Sequence, residues 1–177
     1  IALRADGKVW SWGANYEGQV GTSQSSLVGS PIEVNGLSNG VDIAKGFLHS
    51  LALRSDGTVW SWGSNSTGQL GDGTTTSRSM PLQVPGLTDI VAITAGDEHS
   101  LALKSDGTVW AWGGNTHGVL GDGTLTERHY PAAIPSLANV AALSSDQHNL
   151  ALAADGSVWG WGGKGAGQRG AGPWAVL

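Results

Sequence analysis

The sequence predicts an all-β fold made of repeated units, and three observations carry that prediction. Tryptophan pairs recur at spacings of 50, 50 and 49 residues and account for eight of the nine tryptophans in the 177-residue chain. An Asp-Gly dipeptide precedes each pair at the same distance. No useful stretch shows the 3.6-residue apolar period of a helix. Short strands repeated about every 50 residues indicate a β-propeller. The pairs are Trp10/Trp12, Trp60/Trp62, Trp110/Trp112 and Trp159/Trp161.

The first half of each unit predicts a β-hairpin. In the second unit, apolar runs at 51–53 and 59–62 flank Asp56-Gly57. Asp-Gly between two such runs favours a type I′ turn, which needs positive φ at both central positions. Because side chains alternate along a strand, Trp60 and Trp62 share one face of the sheet. We therefore predict that both members of every tryptophan pair lie in the core.

The second half of each unit predicts two further strands. Residues 82–84 and 90–93 form short apolar runs, and glycines fall between the runs, where positive φ is useful. Pro81 suits the start of the third strand, where a missing N–H is tolerated. Each unit of about 50 residues therefore predicts one four-stranded blade.

The chain is expected to form a single repeat domain, 1–177, of about three and a half units. The units lie at approximately 1–48, 49–98, 99–147 and, incomplete, 148–177. A partial propeller, either a fragment or an open arc, is favoured over a ring closed by two copies. The reason is that a second copy would duplicate the first and second strands of the last unit. Residues 174–177 offer at most one further short strand, and exposed end blades predict self-association.

Composition and charge exclude several classes of function. The net charge is −5 and the pI is about 5.3, whereas a protein that binds nucleic acid usually has a basic face. The absence of cysteine excludes disulfides, thiol catalysis and cysteine-ligated metals. No apolar run reaches the ~18 residues that insertion into a membrane requires. The sequence contains no direct signal for the cellular compartment of the protein. An extracellular or cell-surface location is favoured.

The histidines and the acidic residues do not form a recognisable catalytic or metal motif. His49, His99 and His148 recur once per unit, which predicts separate buried histidines bonded to the backbone rather than a shared metal site. The Asp-Gly pairs at 72–73 and 122–123 lack the further ligands of a calcium loop and predict turns. We expect no enzyme, cofactor or metal, although a carboxylate pair for glycoside chemistry stays open.

Residues 99–115 (HSLALKSDGTVWAWGGN), with Gly-Asp-Gly-Thr at 121–124, resemble the repeats of the regulator of chromosome condensation family, in their bacterial form. The resemblance covers nearly the whole chain and implies a β-propeller. Members of that family include a guanine-nucleotide exchange factor, a plant ultraviolet photoreceptor and a β-lactamase inhibitor. The photoreceptor's Gly-Trp-Arg-His-Thr motif is absent here, which favours core packing for the tryptophans.

Positions that differ between otherwise matching units are the candidate binding residues. A constant scaffold with variable loops is how a propeller presents a binding surface, although drift at exposed sites would look the same. The sequence therefore predicts a non-enzymatic scaffold for a protein partner, with a glycan less favoured. The alternatives are a repeat segment of a larger secreted or surface enzyme or adhesin, a regulator like the exchange factor, and a catalytic propeller. The candidate loop residues are Tyr16, Glu17, Phe47, Leu48, Thr67, Asp97, Glu98, His117, Asp146 and Gln147.

Overall fold

The computed structural model describes residues 1–24 and 26–163. Over this part of the chain the secondary structure is entirely β, with fourteen strands in four antiparallel sheets. The predicted all-β architecture of four-stranded blades is confirmed. The short strand expected at 174–177 lies outside the described residues.

The strands follow one another in chain order within each sheet. The first sheet consists of β1 (Ala2–Leu3), β2 (Val9–Ala14) and β3 (Leu27–Glu33). The second consists of β4 (Gly40–Lys45), β5 (His49–Arg54), β6 (Val59–Gly63) and β7 (Arg78–Gln83). The third consists of β8 (Ile90–Ala95), β9 (His99–Lys104), β10 (Val109–Gly113) and β11 (Arg128–Ala133). The fourth consists of β12 (Val140–Ser145), β13 (His148–Ala153) and β14 (Val158–Gly162).

Each sheet is shifted by one strand relative to the repeat units of the sequence. The strand β4 belongs to the first unit, yet it pairs with β5 of the second, and β8 and β12 pair forward in the same way. The last strand of each sequence unit therefore becomes the first strand of the next blade. The covalent chain consequently runs from one blade into the next between the third and fourth strands of each of the first three units.

The hairpin between β5 and β6 occurs where it was predicted, but its turn is not type I′. Gly57 has a φ of 76°, whereas Asp56 is not among the non-glycine residues with positive φ. The Gly57 N–H donates to the Arg54 carbonyl (2.9 Å) and the Arg54 N–H to the Thr58 carbonyl (3.0 Å). This pattern is a three-residue loop with a glycine bulge. Asp56 Oδ1 accepts bonds from the Thr58 N–H and hydroxyl, which satisfies the turn without a left-handed aspartate.

The third strand of the blade is longer than predicted. Strand β7 covers Arg78–Gln83, so Pro81 lies inside it rather than at its start. The pairing with β6 joins Leu82 to Ser61 and Arg78 to Gly63, with an irregularity between these pairs. Because β7 is the last strand of its sheet and is bulged at Pro81, the missing N–H costs no ladder bond.

The core lies between successive sheets, in three layers of similar composition. Buried Leu51, Leu53 and Val59 of the second sheet pack against Trp112 of the third. The other two layers place Trp62 against the first sheet and Trp161 against the third. These three indoles are fully buried. The structure thus places the second tryptophan of a pair at the centre of the contact between blades.

The first tryptophan of each pair is less buried than predicted. Trp10, Trp60, Trp110 and Trp159 are all half-buried. Trp60, Trp110 and Trp159 pack at the margin of the same apolar layers. A cation stands 5.7 Å from the ring centre over three of them: Arg4 over Trp10, Arg54 over Trp60 and Lys104 over Trp110.

Trp12 also departs from the core prediction, although it is the second member of its pair. Its side chain is 45% exposed, whereas the equivalent Trp62 is fully buried. The reason is that, among the described residues, no sheet covers the face of the first sheet that carries Trp12.

Candidate functional site

All ten candidate loop residues lie at one end of the blades. Because neighbouring strands are antiparallel, the short turn that follows the first strand of a blade and the long loop that follows the third strand emerge at the same end. We call this end the loop face. It consists of residues 15–24, 46–48, 64–77, 96–98, 114–127 and 146–147.

A buried asparagine organises each long loop of the loop face. The Asn65 Oδ1 accepts the Leu70 N–H (2.9 Å), and its Nδ2 donates to the carbonyls of Thr74 (2.9 Å) and Thr76 (3.2 Å). Asn115 makes the equivalent bonds one blade later. Sequence reasoning missed these residues, although asparagine stands at the same position of three units, at 15, 65 and 115.

The Asp-Gly pairs of these loops form ion-paired turns. Asp72 Oδ2 lies 2.6 Å from Nε of Arg78, and Asp122 Oδ2 lies 2.7 Å from Nε of Arg128. Burial would raise the pKa of Asp72, but hydrogen bonds from Thr74 and Arg78 outweigh burial and keep that pKa below its usual value. Both aspartates therefore brace their loops, in agreement with the predicted turns.

Buried histidines join the short turns of neighbouring blades. Nε2 of His49 lies 3.0 Å from Oγ of Ser100, and Nε2 of His99 lies 2.7 Å from Oδ1 of Asn149. The bonding partners are thus side chains of the next blade, not the backbone groups that the sequence predicted. His148 is only half-buried, because no further blade follows it among the described residues.

Burial also fixes the charge state of these histidines. Burial, together with a smaller effect of the nearby His99, lowers the pKa of His49 to about 3. Burial lowers the pKa of His99 as well, against the opposing effects of Asn149, Asp97 and Asp146. Both rings are therefore neutral near pH 7, which suits a structural contact between blades.

The loop face contains a cavity of about 620 Å³ between the third and fourth blades. It brings together six of the ten candidate residues, contributed by three successive short turns and one long loop. These six are Phe47, Asp97, Glu98, His117, Asp146 and Gln147. The remaining wall consists of His99, Gly114, Thr116, Val119 and Gly163.

The other four candidate residues lie outside this cavity. Tyr16 and Glu17 line a shallower groove of about 330 Å³ between the first and second blades. There the Ser77 hydroxyl donates to Oε2 of Glu17 (3.1 Å). The Thr67 hydroxyl donates to Oε1 of Gln69 (2.9 Å), and Leu48 is half-buried. The structure therefore places six candidates in one main cavity and two in a peripheral groove, while Leu48 and Thr67 line neither.

Two further features bear on chemistry at the loop face. Across the described ranges, 1–24 and 26–163, no group of three or more His, Asp or Glu side chains could hold a metal ion. The same residues include no helix that is long and apolar enough to cross a membrane.

Sequence models of known families match most of the chain. The regulator of chromosome condensation (RCC1) repeat matches residues 6–53, 56–103 and 106–152. A second model of the same repeat matches residues 41–69 and 90–119. No curated protein sequence matches the chain significantly.

Solved structures show the same relationship. The structure of yeast RCC1 (Prp20) bound to Kap60 is 25% identical, with a TM-score of 0.83 over 98% of this chain and 44% of that one. Prp20p from Saccharomyces cerevisiae is 27% identical, with a TM-score of 0.78 over 100% of this chain and 45% of that one. Human WBSCR16 is 25% identical, with a TM-score of 0.78 over 90% of this chain and 44% of that one.

The chain thus spans less than half the length of these relatives, as expected for part of a propeller. Three of its four units match the family's repeat, and its blades superpose on solved members over nearly their whole extent. The chain belongs to the regulator of chromosome condensation (RCC1) repeat family.

Proposed function

We propose that the chain is a non-enzymatic scaffold that binds a protein partner through its loop face. The observation that carries this proposal is the cavity, in which six residues that vary between repeats converge from consecutive blades. Trp62 and Trp112 donate to the backbone carbonyls of Gln19 and Gln69 in the long loops, and Asn65 accepts the backbone N–H of Leu70 in its own loop, so these contacts do not depend on which side chains those partner residues carry. The loops can therefore vary without disturbing the contacts between blades.

The relatives support a protein as the partner class. One solved structure shows yeast RCC1 (Prp20) bound to Kap60, and another describes the binding properties of Prp20p to Gsp1p and histones. Propellers of this family are generally binding or regulatory proteins rather than enzymes. We carry over only this class of function and not the identity of any partner.

Affinity capture from native lysate of the source organism, read by quantitative mass spectrometry, tests the proposal. The chain is immobilised, and a variant carrying Asp97→Lys and Glu98→Lys is compared with it. We expect the reversed charges to remove the captured partner, because both side chains line the cavity. The control carries Ser55→Lys and Ser105→Lys, which add positive charge at exposed turns on the opposite end of the blades. Equal capture by all three proteins would overturn the assignment of the loop face.

A regulator of guanine-nucleotide exchange is the second candidate function. It is favoured by the similarity to Prp20p, which covers the whole of this chain, whereas only 45% of Prp20p is covered in return. The test measures release of fluorescent GDP from Gsp1p with and without the chain. Accelerated release would support exchange activity, and an unchanged rate would support the simple scaffold.

A third candidate is a repeat segment of a larger secreted or surface enzyme or adhesin. The open reading frame around the codons for Ile1 and Leu177 distinguishes it from the other two. Additional catalytic or adhesive domains in that frame would favour this candidate.

A further inference from the structure

The main cavity of the loop face is lined by negatively charged side chains. Three carboxylates line it, those of Asp97, Glu98 and Asp146, and no lysine or arginine is present among the described residues of its wall. None of the three takes part in an ion pair with any described residue, whereas Asp72 and Asp122 in the long loops of the same face are each paired with an arginine. The cavity therefore presents negative charge that the described part of the chain does not neutralise.

The three carboxylates are distributed over the cavity wall rather than gathered at one point. The described residues contain no cluster that could hold a metal ion, which excludes a compact three-carboxylate arrangement among them. Asp97 and Asp146 nevertheless act electrostatically on the same ring, that of His99. A ligand that satisfies these groups must be cationic and larger than a single ion.

An aromatic side chain stands at the edge of the same cavity. Phe47 is 71% exposed, although it is a large apolar residue, and the cavity wall includes it. Its backbone N–H donates to the carbonyl of Asp97 (3.2 Å), so the turn that carries the phenyl ring is bonded to the turn that carries the carboxylate. An exposed ring beside carboxylates is a favourable place for a guanidinium or ammonium group, which gains from both the ring and the charges.

We infer that this cavity binds an arginine or lysine side chain from a positively charged segment of the partner protein. The carboxylates accept hydrogen bonds from the cation, and Phe47 covers its aliphatic stem. The cavity volume of about 620 Å³ lies within the range of pockets that enclose ligands of this size. This inference rests on the proposed scaffold function and specifies the chemistry of the partner at that same site.

Fluorescence anisotropy with labelled peptides tests the inference directly. The first probe is a short peptide of alternating arginine and glycine, and the second replaces every arginine with neutral citrulline. We expect the arginine peptide to bind at least about tenfold more tightly than the citrulline peptide, with an affinity that falls as salt is added. A third probe with lysine in place of arginine determines which cation is preferred. Equal affinity for the arginine and citrulline peptides would overturn the inference.

A neutralised variant assigns the binding to the cavity. The test variant carries Asp97→Asn, Glu98→Gln and Asp146→Asn, and the control carries Glu33→Gln, Asp89→Asn and Glu127→Gln. Both lose the same formal charge, but none of the control residues lines the cavity. We expect on the order of tenfold weaker binding, or more, for the test variant alone. Equal weakening in both variants would mean that net charge, and not this cavity, attracts the peptide.

A single substitution checks the role of the aromatic ring. Phe47→Ala should weaken the arginine peptide several-fold while the dependence of affinity on salt stays as in the parent chain, because the carboxylates remain. Circular dichroism and thermal unfolding establish that each variant is folded before its affinity is compared.

The outcomes separate this inference from the proposed function. If the neutralised variant captures the same protein from lysate as the parent chain, the cationic-ligand inference fails and the scaffold proposal stands. If the charge-reversed variant at Asp97 and Glu98 also captures that protein unchanged, the proposed loop face itself is wrong.

Discussion

At the scale of single residues, the paired tryptophans have two different roles. The second indole of a pair donates its Nε1–H to a backbone carbonyl of the preceding blade: Trp62 to Gln19 (3.0 Å), Trp112 to Gln69 (2.9 Å) and Trp161 to Val119 (2.8 Å). The first indole lies at the margin and stacks under a cation where one is available. The two tryptophans of a pair therefore do different things. The second indole joins neighbouring blades, and the first covers the edge of the apolar core between them.

The blade-joining His49 leads to a prediction about pH. Burial lowers its pKa to about 3, while the unfolded chain binds a proton near the ordinary value of 6.5. Below pH 6.5 the unfolded state therefore carries more protons than the folded state, and stability falls as pH drops from 6.5 toward 3. The loss from this group approaches about 1.4 kcal/mol for each pH unit.

Urea unfolding at a series of pH values measures that loss. His49→Gln keeps a polar group near Ser100 but cannot titrate, so we expect its free energy of unfolding to depend less on pH than that of the parent chain. The exposed His117→Gln is the control for the substitution itself and should keep the parent profile. A His49→Gln profile as steep as that of the parent would contradict the role assigned to this ring.

At the scale of secondary-structure elements, the long loops are ordered by their own side chains. The Asn65 side chain provides hydrogen-bond partners for several backbone groups within residues 65–76. The ion pair between Asp72 and Arg78 connects the loop to the start of β7. The loop surface can therefore change while its backbone path is retained. This explains how the loop face combines variable residues with a constant shape.

Removal of an organising asparagine should destabilise the whole chain. Asn65→Ala leaves the buried Leu70 N–H and the half-buried Thr74 carbonyl without the partner that Asn65 provides. We expect a loss of about 2–4 kcal/mol in the free energy of unfolding, because each unpaired buried group costs about 1–3 kcal/mol. Chemical denaturation measures this loss, and Asn115→Ala should lower the free energy of unfolding by a similar amount.

A substitution in the equivalent loop provides the control. Thr116→Ala changes an exposed residue beside Asn115 and should stay within about 0.5 kcal/mol of the parent chain. If Asn65→Ala were equally mild, solvent would be replacing the asparagine, and the loop would not depend on it.

The elements also show which local patterns can be read from a sequence and which cannot. The Asp-Gly pair placed the hairpin correctly, because glycine adopts the positive φ of this turn, 76° at Gly57, without strain. The turn type was wrong, since the Asp56 side chain stabilises a three-residue loop through Thr58. The extent of β7 was also missed, because only the pairing with β6 shows that a bulge accommodates Pro81.

At the scale of the whole molecule, the fourth sheet has an apolar face that no sheet among the described residues covers. Leu152 is 42% exposed and Val158 is 56% exposed, whereas their equivalents Leu103 and Val109 are buried at 3% and 0% under the next sheet. On the opposite side, Trp12 is open on the first sheet. The two open faces match the two sides of each internal contact between blades.

We predict that the isolated 177-residue chain associates with itself through these faces. Sedimentation velocity over a range of concentrations should show oligomers, and Leu152→Glu should shift the distribution toward monomer. Leu125→Glu is the control, since Leu125 is exposed on a loop and belongs to neither face. A monomer at all concentrations would contradict the prediction.

The whole-molecule view also shows how the candidate site was found. Variation between matching repeats selected Phe47, Asp97 and Asp146 among residues far apart in the chain, and the structure places them on one cavity wall. Sequence comparison could not separate this set from Tyr16 and Glu17, which lie in another groove. The separation depends on which blades are adjacent, and that information is absent from a single repeat.

The sequence by itself determined the repeat, the all-β blades and which loop positions vary between units. These follow from local rules: period-two alternation, glycine at positive φ, and one unit copied several times. Only the tertiary structure decided which tryptophan is buried, which groups the histidines bond and which cavity three carboxylates without an ion pair line. The physical reason is that burial and charge at these positions come from the neighbouring blade, about 50 residues away in the chain.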